Sequence, residues 1–113
     1  MADAATTVGD LREHVRRFVH AREWEAFHTP KDLAIALSVE ASELLERFLW
    51  RESDAAKMTA EDRTLAGEEL ADVLIYGMSL ADVLDLDLSE AVIDKLRKDE
   101  AKYPTSRFRG RAP

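Results

Sequence analysis

Two pairs of acidic residues stand out because each pair lies on the apolar face of a predicted helix. Glu40 and Glu43 form the first pair, and Glu69 and Asp72 form the second. Within each pair the spacing is i, i+3, which places the two side chains on neighbouring turns, about 5 to 6 Å apart. Two such pairs on packed helices would bring four carboxylates into one cavity.

Four buried carboxylates need a positive partner, because burying one charge is costly and each charge opposes ionisation of the next. No lysine or arginine is interleaved among the four acids, apart from Arg47 one turn beyond Glu43. Divalent cations are the natural partner, and oxygen-only ligation without cysteine favours Mg²⁺ or Mn²⁺ over zinc. Since Mg²⁺ typically combines a few carboxylates with waters and substrate phosphates, the cluster predicts a phosphate-bearing substrate.

Two other interpretations of these acids stay open on the residues alone. Acid pairs at this spacing are common on solvated helix surfaces, where they have no chemical role. A di-iron carboxylate bundle would need two E-x-x-H motifs together with two further glutamates. The only match is Glu25-x-x-His28, at a predicted helix boundary just before Pro30.

Apolar periodicity and capping residues predict four helices, which would position the acids. Thr29 and Pro30 are a strong helix start, because threonine caps and proline suits the first helical position. The other starts are predicted at Asp10, Thr59 and Asp87. The predicted helices cover residues 10 to about 23, 30 to about 50, 59 to about 84 and 87 to 103. The fold class is therefore all-α, and short connectors favour a four-helix antiparallel bundle.

Length, composition and charge limit the class of protein. With 113 residues and 46% hydrophobic content, the chain can build one core but not two ordinary domains. We expect a flexible N-terminus over residues 1–9, one domain over 10–104 and a flexible basic tail over 105–113. A formal charge of −7 argues against binding to a nucleic-acid polymer, although not against a nucleotide delivered with metal ions.

Location and assembly are also open to prediction. The first ten residues lack a signal pattern, and no apolar run approaches the roughly 18 residues that span a bilayer. We therefore expect a cytoplasmic protein that does not bind membranes. The predicted third helix is apolar around most of its circumference, which one thin bundle cannot cover. A homo-oligomer, either a dimer or a tetramer, is the expectation.

Four longer segments carry a resemblance to a known family. They are W-E-x-F-H-x-P at 24–30, S-V-E-A-S-E-L-L-E-R-F-L-W at 38–50, E-E-L-A-D-V-L-I-Y at 68–76 and K-Y-P at 102–104. Together with the spacing of the two acid pairs, they resemble the MazG-like all-α nucleoside triphosphate pyrophosphohydrolases, in particular their dCTP pyrophosphatase branch. The resemblance covers about residues 10 to 104 and also implies a tetramer of paired dimers.

The resemblance implies hydrolysis between the α and β phosphates, releasing a nucleoside monophosphate and pyrophosphate. It implies that Glu40, Glu43, Glu69 and Asp72 hold Mg²⁺, with Mn²⁺ as a substitute. Glu43 and Glu46, on successive turns, are the candidates for the general base. On the residues alone, Glu46 fits a solvent-facing acid equally well.

Aromatic residues complete the implied nucleotide site. In the dCTP branch the matching positions line the base pocket, where ring faces can stack on cytosine. These positions are Trp24, Phe27, His28, Trp50 and Tyr76. Without the resemblance, the tryptophans and Phe27 would be core or interface residues, and His28 a capping or surface histidine.

The predicted fourth helix adds Lys95, Asp99 and Lys102 on one stripe. In the family, a lysine and an asparagine at the first two positions typically help to hold phosphates or metal, so Asp99 departs from the pattern. It can reach a metal, or pair with Lys95 at i, i+4 as a helix-stabilising ion pair.

The function implied is Mg²⁺-dependent hydrolysis of dCTP or a modified dCTP. The first alternative keeps the fold and chemistry but changes the substrate to dUTP, another non-standard nucleotide or phosphoribosyl-ATP. An alternative of a different class is a helical interaction module without enzymatic activity.

Overall fold

The regular structure is helical throughout the part of the chain that the computed structural model describes, residues 1–50 and 54–113. Five α-helices follow one another: α1 Val8–Ala21, α2 Pro30–Glu46, α3 Ala60–Val83, α4 Leu88–Lys102 and α5 Thr105–Phe108. Three short 3-10 helices lie at Asp3–Ala5, Trp24–Phe27 and Ala55–Lys57. The all-α prediction is confirmed. None of the helices in these ranges combines the length and apolarity needed to cross a membrane.

Side-chain caps define the starts of the long helices. The hydroxyl of Thr29 accepts a hydrogen bond from the backbone N–H of Asp32 at the start of α2. Thr59 makes the same kind of bond at the start of α3, within a reciprocal capping box. Asp87 caps α4 in the same way, at 2.8 Å from the backbone nitrogen of Glu90. The predicted starts of these three helices are confirmed. They could be predicted because capping depends on residues that are close in sequence.

Two helix ends and the tail differ from the predictions. Helix α2 ends at Glu46 rather than near Trp50, because the backbone tightens to 3-10 bonds after it and Trp50 has a φ of 59°. A right-handed helix cannot include that left-handed conformation. Helix α1 begins at Val8, two residues earlier than predicted. The tail contains α5, where the ring of Phe108 packs edge-on against Tyr103 at 5.2 Å.

Helices α2 and α3 make the main packing contact of the chain, and α1 packs more lightly on α3. Arg12 and Arg16 of α1 reach Asp82 of α3 with nitrogen–oxygen distances of 2.8 and 3.0 Å. The buried apolar core is small and consists of Val19, Leu33, Met78 and Ala81. Helix α4 makes few contacts with the other three long helices, so a single chain does not show the closed bundle that was predicted.

The chain is less compact than a monomeric domain of its size. Its accessible surface is 9057 Å², whereas a compact monomer of this mass exposes about 6,300 Å². Its radius of gyration is 16.9 Å, compared with about 13 Å for a compact domain of about 100 residues. Large apolar side chains on α2, α3 and α4 therefore remain exposed in one chain.

Candidate metal centre and adjoining aromatic cavity

Three of the four predicted metal ligands lie together between α2 and α3. Carboxylate oxygens of Glu40, Glu43 and Glu69 all lie within 4.8 Å of one another. Asp72 lies outside that group, but its negative charge still acts on Glu40. All four side chains are half-buried. The structure thus brings together three of the four carboxylates that the i, i+3 spacing predicts to share one cavity.

Glu40 has the least favourable environment of the cluster. Its Oε2 atom is buried and has no hydrogen-bond partner among the described residues. Burial raises the pKa of Glu40 to about 7, and the hydrogen bond to Glu43 and the charges of Glu43, Asp72 and Glu69 act in the same direction. A positive charge beside this carboxylate would favour its ionised form and lower its pKa, so the site has a strong preference for a cation.

One cation contacts the cluster within the described part of the chain. Nη2 of Arg47 donates a hydrogen bond to Oε1 of Glu69 at 3.0 Å. The side chain of Arg47 is 39% exposed and that of Glu69 is 15% exposed, so the pair lies at the rim of the cleft. The remaining carboxylates fit a divalent cation, since they offer only oxygen ligands and one of these oxygens is orphaned.

An aromatic cavity of about 260 Å³ adjoins the acids. Ala36 in its wall is one turn before Glu40 on α2, and Tyr76 is one turn after Asp72 on α3. The cavity and the acids therefore belong to one groove between the two helices. Its lining brings together four of the five predicted base-pocket residues, namely Trp24, Phe27, His28 and Tyr76.

Asp32 also lines this cavity, and the sequence analysis missed it. It is the third residue of α2, where an acid is usually explained by the positive end of the helix dipole. A signal was present, because Asp32 lies eight residues before Glu40 and hence on the same stripe of the helix.

The other predicted site residues lie apart from this groove in a single chain. Trp50 is fully exposed beyond the end of α2, and Glu46 is exposed and outside the acid group. On α4, Nζ of Lys95 lies 2.6 Å from Oδ1 of Asp99, so the structure shows the ion pair that was one of the two alternatives for Asp99. Lys102 places its ammonium 5.3 Å from the ring centre of Tyr103.

A larger cavity, of about 520 Å³, lies between α1 and the C-terminal half of α3 and contains none of the four acids. Several of its charged groups pair with each other, as in the contacts of Arg12 and Arg16 with Asp82. Its lining lacks the group of converging carboxylates that lies beside the smaller cavity. The smaller cavity beside the acids is the better candidate site.

The fold and this groove define a class of all-helical proteins in which two central helices present an acidic cleft beside an aromatic cavity. The chain belongs to the MazG-like family, whose model matches residues 35–111. The family predicted from the motifs is thereby confirmed.

Two kinds of relative are similar to this chain. It is 38% identical over 94% of its length to dCTP pyrophosphatase 1 of Mus musculus, and 40% identical over 94% to that of Rattus norvegicus. The chain spans 64% of the length of these two relatives. A solved pyrophosphatase from Archaeoglobus fulgidus matches with a TM-score of 0.75 and 41% identity, over 85% of this chain and 91% of that one.

Proposed function

We propose that this protein is a metal-dependent nucleoside triphosphate pyrophosphohydrolase, acting on dCTP or a modified dCTP and releasing the monophosphate and pyrophosphate. One observation carries the proposal. Three carboxylates meet within 4.8 Å beside an aromatic cavity, in a MazG-like chain whose relatives are named dCTP pyrophosphatases.

The acidic cluster has the chemistry that this reaction needs. A bound Mg²⁺ supplies charge neutralisation on the phosphates and a water of lowered pKa. Glu40, Glu43 and Glu69 would hold the ion, with Asp72 beside them. Glu43 lies in the acid group while Glu46 is exposed one turn away. Because Glu43 would also hold the ion, Glu46→Gln is the informative variant: loss of turnover with unchanged Mg²⁺ binding would identify Glu46 as the base, and normal turnover would leave Glu43.

The aromatic cavity supports cytosine as the base. Rings such as Trp24 and Tyr76 can stack on any base, so stacking alone does not choose one. The carboxylate of Asp32 can accept a hydrogen bond from the exocyclic amino group of cytosine. Uracil has a carbonyl oxygen at that position and offers no hydrogen there. Asp32 thus favours dCTP over dUTP.

The proposal extends to assembly as a homo-oligomer, either a dimer or a tetramer. Each chain exposes about 2,800 Å² more surface than a compact monomer of the same mass. Obligate interfaces bury areas of this size. Trp50, Lys95, Asp99 and Lys102 stay predicted site residues, and a cytoplasmic location stays a prediction.

A panel of deoxynucleoside and nucleoside triphosphates, assayed with Mg²⁺, with Mn²⁺ and with EDTA, tests the reaction. We expect dCTP to yield dCMP and pyrophosphate in equal amounts, and EDTA to abolish this yield. Release of inorganic phosphate instead would contradict cleavage between the α and β phosphates. Turnover of dUTP or phosphoribosyl-ATP alone would favour the substrate alternatives. If the protein shows no turnover, and its melting temperature does not rise with metal and nucleotide, the interaction module is favoured.

Asp32→Asn tests the proposed base recognition. We expect kcat/KM for dCTP to fall about tenfold, roughly the 1.4 kcal/mol of one base contact, while dUTP turnover holds or rises. Asp94→Asn, on the exposed surface of α4, is the matched control. An unchanged ratio of dCTP to dUTP turnover in Asp32→Asn would remove Asp32 from base recognition.

A further inference from the structure

The groove between α2 and α3 has a direction along which a nucleotide can be placed. Ala36 and Tyr76 line the same cavity at one end, and Arg47 pairs with Glu69 at the other, so the two helices run antiparallel. Ala36 to Arg47 is eleven residues, or about 16 Å at 1.5 Å per residue. The order along the groove is aromatic cavity, acids and then Arg47.

Arg47 closes the end of the groove that is farthest from the aromatic cavity. Among the described residues, it is the one cation with an ion pair to an acid of the cluster. The lysines predicted to hold phosphates have other partners, since Lys95 is paired with Asp99 and Lys102 lies over Tyr103. The side chain of Arg47 is partly exposed, which leaves its guanidinium room to change partner.

We propose that Arg47 is the counter-ion of Glu69 in the metal-free protein, that a bound divalent cation displaces it, and that the freed guanidinium then binds the terminal phosphates of the substrate. This inference rests on the proposed function. It assigns Arg47 to the pyrophosphate end of the nucleotide.

Charge and geometry support both parts of the assignment. A divalent cation at Glu69 repels a guanidinium that lies 3.0 Å from the same carboxylate, so the two compete for this acid. A guanidinium offers a planar fork of donors that matches phosphate oxygens. With the base in the aromatic cavity, the α phosphate lies nearest to that cavity. The β and γ phosphates, which leave together as pyrophosphate, then extend toward Arg47.

Metal binding without nucleotide tests the first part. Calorimetry with Mn²⁺ is done on the wild-type protein, Arg47→Gln and the control Arg17→Gln, which removes an exposed arginine paired with Glu13 on α1. We expect Arg47→Gln to bind Mn²⁺ about three- to tenfold more tightly and the control to stay within about twofold of wild type. Unchanged or weaker binding by Arg47→Gln overturns the competition.

Product binding tests the second part, with pyrophosphate and dCMP as separate probes in the presence of Mg²⁺. We expect Arg47→Gln to weaken pyrophosphate binding about tenfold and to leave dCMP within about twofold, because the monophosphate occupies the other end. Arg47→Lys keeps the charge without the fork and should recover part of the loss. Equal losses for the two products, or no loss for pyrophosphate, overturn the assignment.

Failure of this inference is distinguishable from failure of the proposed function. A wild-type protein that releases no pyrophosphate from dCTP contradicts the proposed function itself. In the other case the wild-type protein releases pyrophosphate from dCTP while Arg47→Gln binds Mn²⁺ and pyrophosphate as the wild type does. That result contradicts only the role of Arg47. Circular dichroism and sedimentation check that each variant is folded and assembled. If Arg47→Gln fails to fold, pyrophosphate binding by Arg47→Lys decides, since loss of the fork should still weaken it severalfold.

Discussion

At the residue scale, Glu40 bears an electrostatic penalty in the cleft. Its buried Oε2 has no hydrogen-bond partner in the described part of the chain, and three further acids repel its charge. Such a group destabilises the metal-free fold, because its ionised form is poorly solvated and unpaired. The same environment makes it a strong site for a divalent cation.

Glu40→Gln should therefore raise the melting temperature of the metal-free protein or leave it unchanged. Activity should nevertheless fall by about a hundredfold or more, since a neutral amide is a poorer Mg²⁺ ligand. The rise in melting temperature on adding Mg²⁺ should also shrink. Thermal melts with and without Mg²⁺, alongside dCTP turnover, measure all three effects.

Asp72→Asn is the second site variant. It is preferred to Glu69→Gln because Glu69→Gln also removes the ion pair with Arg47, so its effect would have two causes. Glu61→Gln, on the exposed first turn of α3, is the control. If Glu40→Gln and Asp72→Asn both turn over dCTP as fast as the control, the carboxylates do not form a metal site.

The pKa of Glu40 predicts a pH dependence for the metal-free protein. Its ordinary value is 4.5 and its value in the fold is about 7, so between these pH values the folded state binds more protons than the unfolded state. The free energy of unfolding should fall as pH rises from about 4.5 to about 7, and this contribution should level off above that.

Melts in EDTA across pH 5 to 8, for wild type and Glu40→Gln, isolate this effect by difference. The comparison is needed because Asp10 and Glu25 have lowered pKa values, which oppose the trend at lower pH. A difference between the two proteins that does not change with pH would show that Glu40 does not titrate in this range.

Helical periodicity predicted the grouping of Glu40, Glu43 and Glu69, and the family resemblance named four residues of the aromatic cavity, but neither predicted every residue of the groove. Glu40 and Glu43 follow from helical periodicity, because their neighbours in space are also their neighbours in sequence. Asp32 was missed because its position at a helix start has a sufficient local explanation. The pairing of Arg47 with Glu69 joins two helices, and no spacing within one helix predicts it.

At the element scale, α2 carries two of the acids and one wall of the cavity. Its start is fixed by Thr29, whose hydroxyl accepts from the N–H of Asp32 at 3.1 Å. The cap thus orders the same turn that presents Asp32 to the cavity. The stability of α2 and the proposed base recognition by Asp32 are therefore linked through this turn.

Thr29→Ala should lower the free energy of unfolding by about 1 kcal/mol, within the range of about 0.5 to 2 kcal/mol for loss of such a cap. Thr64→Ala is the control, because Thr64 lies inside α3 with its hydroxyl bonded to the carbonyl of Ala60, and alanine favours a helix interior. Urea unfolding of both variants measures the change. An equal loss of unfolding free energy in Thr29→Ala and Thr64→Ala would show that the cap does not stabilise the helix.

Helix starts were predicted better than helix ends. Thr29, Thr59 and Asp87 each accept from a backbone N–H three residues further on, so the local sequence contains the signal. The end of α2 lies instead where the bonding changes to 3-10 at Arg47 and Phe48, ahead of the left-handed conformation of Trp50, and apolar periodicity reveals neither. The same limit applies to α5, where Phe108 is held by its contact with Tyr103.

At the scale of the whole molecule, the exposed apolar surface is the dominant feature. On α3, Leu70 is 48% exposed and Leu74 is 53% exposed, on the side away from the acids. Helix α4 exposes Val92 and Leu96 to a similar extent. Burial of such surface against other chains is strongly favourable, at about 25 cal/mol per Å².

The wild-type protein should therefore sediment as a homo-oligomer at micromolar concentration, and Leu74→Glu should shift it toward smaller species. A buried, unpaired glutamate at an interface is costly. Lys98→Glu, on an exposed position of α4, is the control and should leave assembly unchanged. A lone 12.8 kDa species for wild type would contradict association altogether.

Exposed apolar surface on α3 was predictable from the sequence, whereas the arrangement of the four long helices was not. The apolar circumference of α3 already indicated more surface than one thin bundle can cover. The prediction that four helices close into one bundle within a chain is not met, since α4 makes few contacts with the other long helices. That arrangement depends on contacts that amphipathic periodicity does not specify.

The exposed ring of Trp50 gives the protein an intrinsic optical probe. The chain has two tryptophans, Trp50 in water and Trp24 in the wall of the aromatic cavity. An indole in water emits at longer wavelength than one surrounded by apolar groups, so the emission of Trp50 will move to shorter wavelength if assembly or nucleotide covers it. In Trp24→Phe the remaining emission comes from Trp50 alone. Dilution and addition of nucleotide, followed as spectra of that variant, would separate the two events without any attached dye.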